Sequence, residues 1–227
     1  MKHFFFLTVA AAFATSAAWA GNLQLVTNRA NLNPTDSVEW GQLGASYTSI
    51  PSTFSATSGN GMAITGTLAG GSGERRDEAN GWAGNFTHGD HLLWTNANGP
   101  LTLSFANPVA GAGANVQSDY YGPFTLELSA YDGSTLLGSF TEIGDSSAND
   151  DGKAIFLGVL GSTADITKIV FTNVTWDGNP QDFAINTLSL STSGGVTGAP
   201  EPGTCALAGS ALLGLLAIAR NRKKQAR

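Results

Sequence analysis

The chain has 227 residues, with 11 Lys and Arg against 17 Asp and Glu and a formal net charge of −6 at pH 7. The charge is unevenly placed. Gly21 to Ala199 carries five basic residues (Arg29, Arg75, Arg76, Lys153, Lys168) and sixteen acidic ones, net −11, while the two flanks sum to +5. A body this acidic repels nucleic acid and anionic lipid, and the lack of cysteine between Gly21 and Thr204 excludes a disulfide framework. Ahead of the body, Met1–Ala20 has Lys2, an apolar stretch from Phe4 to Ala14, and Ala18-Trp19-Ala20. That order predicts a secretory signal peptide over residues 1–20 and a mature chain beginning at Gly21.

The stretch 21–190 is one domain's length and long enough to bury a core. Helical periodicity is absent, and Gly, Ser, Thr and Asn punctuate the chain every ~8–12 residues, the spacing of sandwiches and barrels. The predicted fold is all-β, a two-sheet antiparallel sandwich. In the first half, Val38–Trp40, Phe54–Ala56 and Met62–Leu68 read as short strands. Gly70–Gly73 followed by Glu74–Glu78 reads as a flexible, charged loop. In the second half, Leu101–Phe105 alternates and Asn107-Pro108 ends it. Phe124–Tyr131 alternates over eight positions, meets the turn signal Asp132-Gly133, and pairs with Leu136–Ile143. Ala154–Leu160, Ile166–Val174 and Phe183–Leu190 follow as strands, and 191–199 is a Ser/Gly/Thr linker.

Residues 200–227 have three parts: Pro200-Glu201-Pro202, an apolar run from Cys205 to Ala219 without charge, and a basic end of Arg220, Arg222, Lys223, Lys224 and Arg227. As a helix the run covers roughly 22 Å, against a bilayer core of roughly 30 Å. Snorkelling basic side chains make this a marginal single span with the basic end in the cytoplasm. Pro200 and Pro202 keep the strip before it extended. An ordinary C-terminal membrane anchor fits the same pattern. The three parts together resemble the PEP-CTERM sorting signal of Gram-negative bacteria, over about an eighth of the chain. Gly203-Thr204-Cys205 departs from that family, which more often has Ser-Thr and an aromatic there. The resemblance implies export, transient residence in the inner membrane through the C-terminal helix, and handling by an exosortase-type processing enzyme. It also implies a destination at the cell surface or in the extracellular matrix, in association with exopolysaccharide and biofilm.

The succession from Leu101 to Asn186 is similar to jelly-roll domains of PEP-CTERM proteins and, distantly, to galactose-binding and other carbohydrate-binding sandwiches. The family's closing motif is often Phe-Ala-Ile-Asp-Asn. Here Phe183-Ala184-Ile185 is followed by Asn186 and Thr187.

The chemistry-bearing candidates are few. No G-x-S-x-G elbow, H-E-x-x-H, P-loop or dinucleotide fingerprint is present. His88, Asp90 and His91 have the residue types of a transition-metal site, although a strand entering at His91 sends Asp90 and His91 to opposite faces. Asp145, Asn149, Asp150 and Asp151 offer hard oxygens suited to calcium, the one cofactor the sequence suggests, or else form a solvated acidic loop. Sugars stack their C–H faces on aromatic rings while Asp and Asn bind hydroxyls. Trp176, Asp177 and Asn179 in one loop, and Tyr120 and Tyr121 in another, are therefore the ligand-binding candidates, with Trp82 and Trp94 read as core or rim. Three functions stay open: a non-enzymatic polysaccharide-binding sandwich, a structural or adhesive matrix protein with protein partners, and a glycan hydrolase using a carboxylate pair such as Glu127 and Asp132.

Overall fold

The computed structural model describes residues 23–174 and 181–194. The expected signal peptide, the loop with Trp176, Asp177 and Asn179, and the tail with Pro200, Glu201 and Pro202 lie outside the described residues. In chain order the strands are β1 (Gln24–Val26), β2 (Asp36–Val38), β3 (Ser49–Ile50), β4 (Thr53–Thr57), β5 (Ala63–Leu68), β6 (Gly73–Glu78), β7 (Gly81–Trp82) and β8 (His91–Trp94). They continue as β9 (Leu101–Val109), β10 (Gly111–Ser118), β11 (Gly122–Asp132), β12 (Thr135–Ser146), β13 (Ile155–Leu160), β14 (Ile166–Asn173), β15 (Phe183–Ile185) and β16 (Leu188–Ser191). Sheet A runs β1-β13-β10-β15-β8-β6-β3, with β16 bridging β10 to β2 and β7 beside β6; sheet B runs β12-β11-β14-β9-β5-β4. The long pairings are antiparallel. The result is the two-sheet β-sandwich that the spacing predicts.

Alternation explains the layering. In β5 Ile64, Gly66 and Leu68 point in and Ala63, Thr65 and Thr67 point out, as a period of two requires. In β11 Phe124, Leu126, Leu128 and Ala130 are buried against Val116, Leu157, Ile185 and other residues of sheet A. Complete burial of Leu126 or Leu128 contributes about 1.5–3 kcal/mol each relative to exposure. Two glycines are required by aromatic neighbours. A Cβ at Gly66 would sit 2.1 Å from the Phe54 ring, and one at Gly144 would sit 2.3 Å from the Phe124 ring. Asp132-Gly133 is the hairpin turn predicted, with Asp132 opposite Thr135 and Gly133 at φ 56.

Three expectations need correction. Gly73–Glu78 is not a loop but strand β6, paired to β8 and β3. Four of its five charges pair locally, Arg76 with Glu74 at 3.0 Å and Arg75 with Asp77 at 2.5 Å, so these four need not face bulk water. Asn107-Pro108 does not end β9. Ser104 pairs with Lys168 and Val109 with Ile166, so the extra β9 residues form an irregularity that accommodates the proline. Phe183–Leu190 is two strands, because Asn186 and Thr187 break the ladder between β15 and β16.

The sandwich has two distinct poles. β10 starts at Gly111, opposite Leu160 and Ser191, and ends at Ser118, opposite Phe183. Leu23 lies beside Gly161 and Gly138, and Gly194 beside Ser162. The first and last described residues therefore share the Gly111 pole, here the terminal pole. The Asp119–Tyr121 turn, the connection after Trp94, and Gln181 share the Ser118 pole, here the loop pole, about 25 Å away along β10.

Candidate functional site

Two connections cover the outer face of sheet A and lock together. One is the β7–β8 connection and the other is the acidic β12–β13 connection. Asn85, buried, donates through Nδ2 to Ser147 Oγ (2.7 Å) and Asp151 Oδ1 (3.0 Å) and accepts from Ser147 N (2.7 Å). Gln117 of β10 accepts from Asn85 N (2.6 Å) and donates to Ser146 Oγ (2.7 Å) and Ser147 O (3.0 Å). Asp150 N donates to Gly84 O and Ala154 N to Asn85 O. Glu78 anchors the first connection from below: its Oε1 accepts from Gly84 N at 2.8 Å, and burial raises its pKa. Beneath this clasp lie Trp82, Phe86, Leu92, Ala154 and Ala184, with Trp94 at the rim. Trp82 and Trp94 meet edge to face at 6.0 Å, core and rim as predicted.

The acidic residues singled out for calcium are distributed through this clasp. Asp145, next to last in β12, lies opposite Pro123. Asp145, Asn149 and Asp151 line an open groove of about 610 Å³ with Ile143 and Lys153. Asp151 is held by Asn85 and by Lys153 at 3.1 Å, which lowers its pKa, chiefly through the Asn85 hydrogen bond. Asp150 turns away to His88 Nδ1 at 2.6 Å. The other histidine candidates also separate. His91 lies 3.7 Å from Asp77, while Asp90 accepts from Thr87 N and Asn186 Nδ2. Among the described residues, no group of three or more His, Cys, Asp or Glu side chains is arranged to hold a metal ion.

Asn186, the residue at which the closing motif departs from the family it resembles, has a physical role. It accepts from Arg29 Nη2 at 2.8 Å and from Asn115 N at 3.0 Å, and it donates to Asp90 at 2.8 Å. An aspartate could accept from Arg29 but could not donate to Asp90. Arg29 is further engaged with Asn115, Thr187 O and Ser189 and lies 5.3 Å from the Phe156 ring centre. Burial lowers its pKa, opposed by Asp90 and Glu39.

The loop pole is built differently. Arg76 of β6 lies between two rings, 4.3 Å from the Tyr47 centroid and 4.8 Å from that of Trp94. Tyr47 sits at φ 73, a conformation rare for a bulky side chain, held by its N–H to Arg75 O at 2.7 Å. Trp94 is fixed in turn by its Nε1–H to Asp182 Oδ1 at 2.6 Å, which also accepts from Ala97 N at 3.1 Å. Asp182 is buried, and its pKa is raised by that burial and restrained by these two donors. Asp119 follows the end of β10, its N–H on Asp182 O at 3.1 Å. Partial desolvation and then the Asp182 charge raise its pKa, while Arg76 opposes them. Asp119 is exposed, so solvent screens part of this effect. Next to it Tyr120 is 49% and Tyr121 61% exposed, and Tyr121 Oη donates to Ala83 O at 3.0 Å. Tyr47, stacked on Arg76, is 59% exposed.

Tyr120 and Tyr121 are thus where the sequence predicts, on an exposed turn. The residues flanking the Trp176 loop also reach this pole, Gln181 Nε2 donating to Asn173 O at 3.2 Å. Arg76 and Asp182 were missed, because charge on a supposed loop and one Asp before a strand carry no local signal; only their cross-strand neighbours make them a site. Glu127 and Asp132 do not form a pair. They lie five residues apart on β11, roughly 17 Å, beyond the separations of glycosidase carboxylates.

No family model matches the chain, and no curated protein matches it. Among solved structures the chain is similar to CsCBM6-3 from Clostridium stercorarium, determined in complex with cellobiose. The identity is 12%, the match covers 65% of this chain and 88% of that one, and the TM-score is 0.24. At that TM-score the likeness carries no functional weight.

Proposed function

We propose that this chain is an exported, non-enzymatic β-sandwich that binds extracellular polysaccharide at its loop pole. The observation that carries the proposal is the set of exposed rings, Tyr47, Tyr120 and Tyr121, with exposed Asp119 and with the Arg76 guanidinium lying 4.3 Å and 4.8 Å from the Tyr47 and Trp94 ring centres. Rings of this kind stack on the apolar faces of sugars, and carboxylates accept from their hydroxyls. The Arg76 stack and the Trp94–Asp182 bond fix the floor before a ligand arrives, which lowers the ordering cost of binding. Trp176, Asp177 and Asn179, in the connection between β14 and β15, are the further ligand contacts of this reading. Export and surface sorting are supported by the leader at 1–20 and by the Pro-Glu-Pro, apolar and basic parts of 200–227. An exosortase-type enzyme is the processing partner this reading implies.

Affinity electrophoresis of the chain through a panel of neutral, acidic and amino-sugar polysaccharides tests it. Selective retardation that disappears on Tyr120→Ala with Tyr121→Ala supports the proposal. Uniform migration through every polysaccharide would overturn it in favour of a scaffold with protein partners, and release of reducing ends would replace it with a hydrolase.

A further inference from the structure

Strands with only one partner leave a row of backbone N–H and C=O groups open to another chain. Among the described residues those strands are β1, β2, β3, β4, β7 and β12. The first five have two to five residues each. β12 has twelve, and among the described residues it pairs only with β11. It has no proline, lysine or arginine; its edge protection is limited to the charges Glu142 and Asp145 and one bulge at Leu137. It exposes two large apolar side chains, Leu136 at 53% and Ile143 at 72%.

The register of β12 explains why both point the same way. Seven residues apart, Leu136 and Ile143 would lie on opposite faces of a regular strand. The ladder shifts between Ala130 and Tyr131, leaving Leu137 as the extra residue. Leu136 therefore faces outward with Tyr131, as Ile143 does with Thr125, while Leu137 packs on the core.

We propose that β12 is a self-association surface, on which a second copy of this chain pairs its own β12 in antiparallel fashion across a two-fold axis at Phe140. That register sets Thr141 opposite Ser139 of the other copy and brings each Ile143 against the other copy's Leu136 across the bulge, so the two exposed apolar residues cover one another twice. It also sets the acidic half of each strand, Glu142 and Asp145, against the uncharged half of its mate. Parallel pairing would stack Glu142 on Glu142. The pair is isologous, so it closes as a dimer.

Sedimentation velocity of the full chain in mild non-ionic detergent tests this. The expected result is a dimer whose dissociation constant rises at least about tenfold on Ile143→Lys, while Thr65→Lys, on the same outer face but away from the edge, leaves it unchanged. Ile143 is exposed, so circular dichroism should show Ile143→Lys as folded as the parent. In a Cys205→Ala background, Ser139→Cys with Thr141→Cys should give an oxidised dimer on a non-reducing gel. A monomeric parent, whether its edge is bare or covered by another segment of its own chain, would overturn the proposal. So would a dimer that a folded Ile143→Lys variant keeps.

Discussion

In the clasp, Asn85, Ser147, Asp151 and Gln117 face one another; at the loop pole, Tyr47, Tyr120, Tyr121 and Asp119 face solvent. Both regions draw on Asp, Asn and aromatic residues, and both sit on sheet A. Asn85, Gln117 and Ser147 find their partners within the chain, so removing one strands another in a buried place. The loop pole fixes its floor, Arg76, Trp94 and Asp182, and leaves Tyr120 and Tyr121 exposed among the described residues. Composition alone does not separate a closure from a binding surface; the destination of each hydrogen bond does.

The largest expected effect breaks the clasp side. Asn85→Ala removes three hydrogen bonds at a buried position and should cost about 2–3 kcal/mol in urea denaturation. Polysaccharide retardation of the protein that remains folded should change little. The loop pole should show the reverse. Tyr120→Ala with Tyr121→Ala should weaken retardation at least about tenfold while stability moves by less than about 1 kcal/mol. A double variant that binds normally would remove the distinction between the regions.

Titration sharpens it further. The Asp182 carboxyl has its pKa raised by burial, so the folded state holds that proton more tightly than the unfolded chain does. Stability from this group is complete below the ordinary Asp range and is lost as pH rises through the elevated value. Asp182→Asn keeps an acceptor for Trp94 and Ala97, so it should flatten the change in stability between neutral and mildly acidic pH, read from melting temperatures across that range. The smallest effect belongs to the exposed His88–Asp150 pair. The hydrogen bond to Asp150 raises the His88 pKa, so its small contribution is present in acid and disappears as pH climbs past the raised imidazole value. His88→Ala should erase that drift and leave the melting temperature at alkaline pH unchanged.

Much of the fold was legible where structure is local. Ile64–Leu68, Phe124–Ala130 and the Asp132-Gly133 turn announce themselves by alternation and turn chemistry. β6 did not, because Glu74 to Glu78 reads as solvated unless its ion pairs are known. Pro108 reads as a stop unless the irregularity opposite Lys168 is known. The candidate site divides in the same way. Tyr120 and Tyr121 are visible as rings beside a turn, but Arg76, Trp94 and Asp182 are brought together by the β6–β8 and β8–β15 pairings, over sequence separations that no local pattern spans.

The positions of the first and last described residues give the proposed pair a direction. Leu23 and Gly194 share one pole and the tyrosines the other, and β12 runs from the first toward the second. Antiparallel pairing of two β12 strands turns one body end over end. The two Gly194 exits then leave the dimer on opposite sides, and the tyrosine surfaces point opposite ways as well. Two copies rooted in one surface could not meet in this manner side by side, whereas copies on facing surfaces could. The sandwich would then work as a coupling between two bodies whose Gly194 ends lie on opposite sides of the pair.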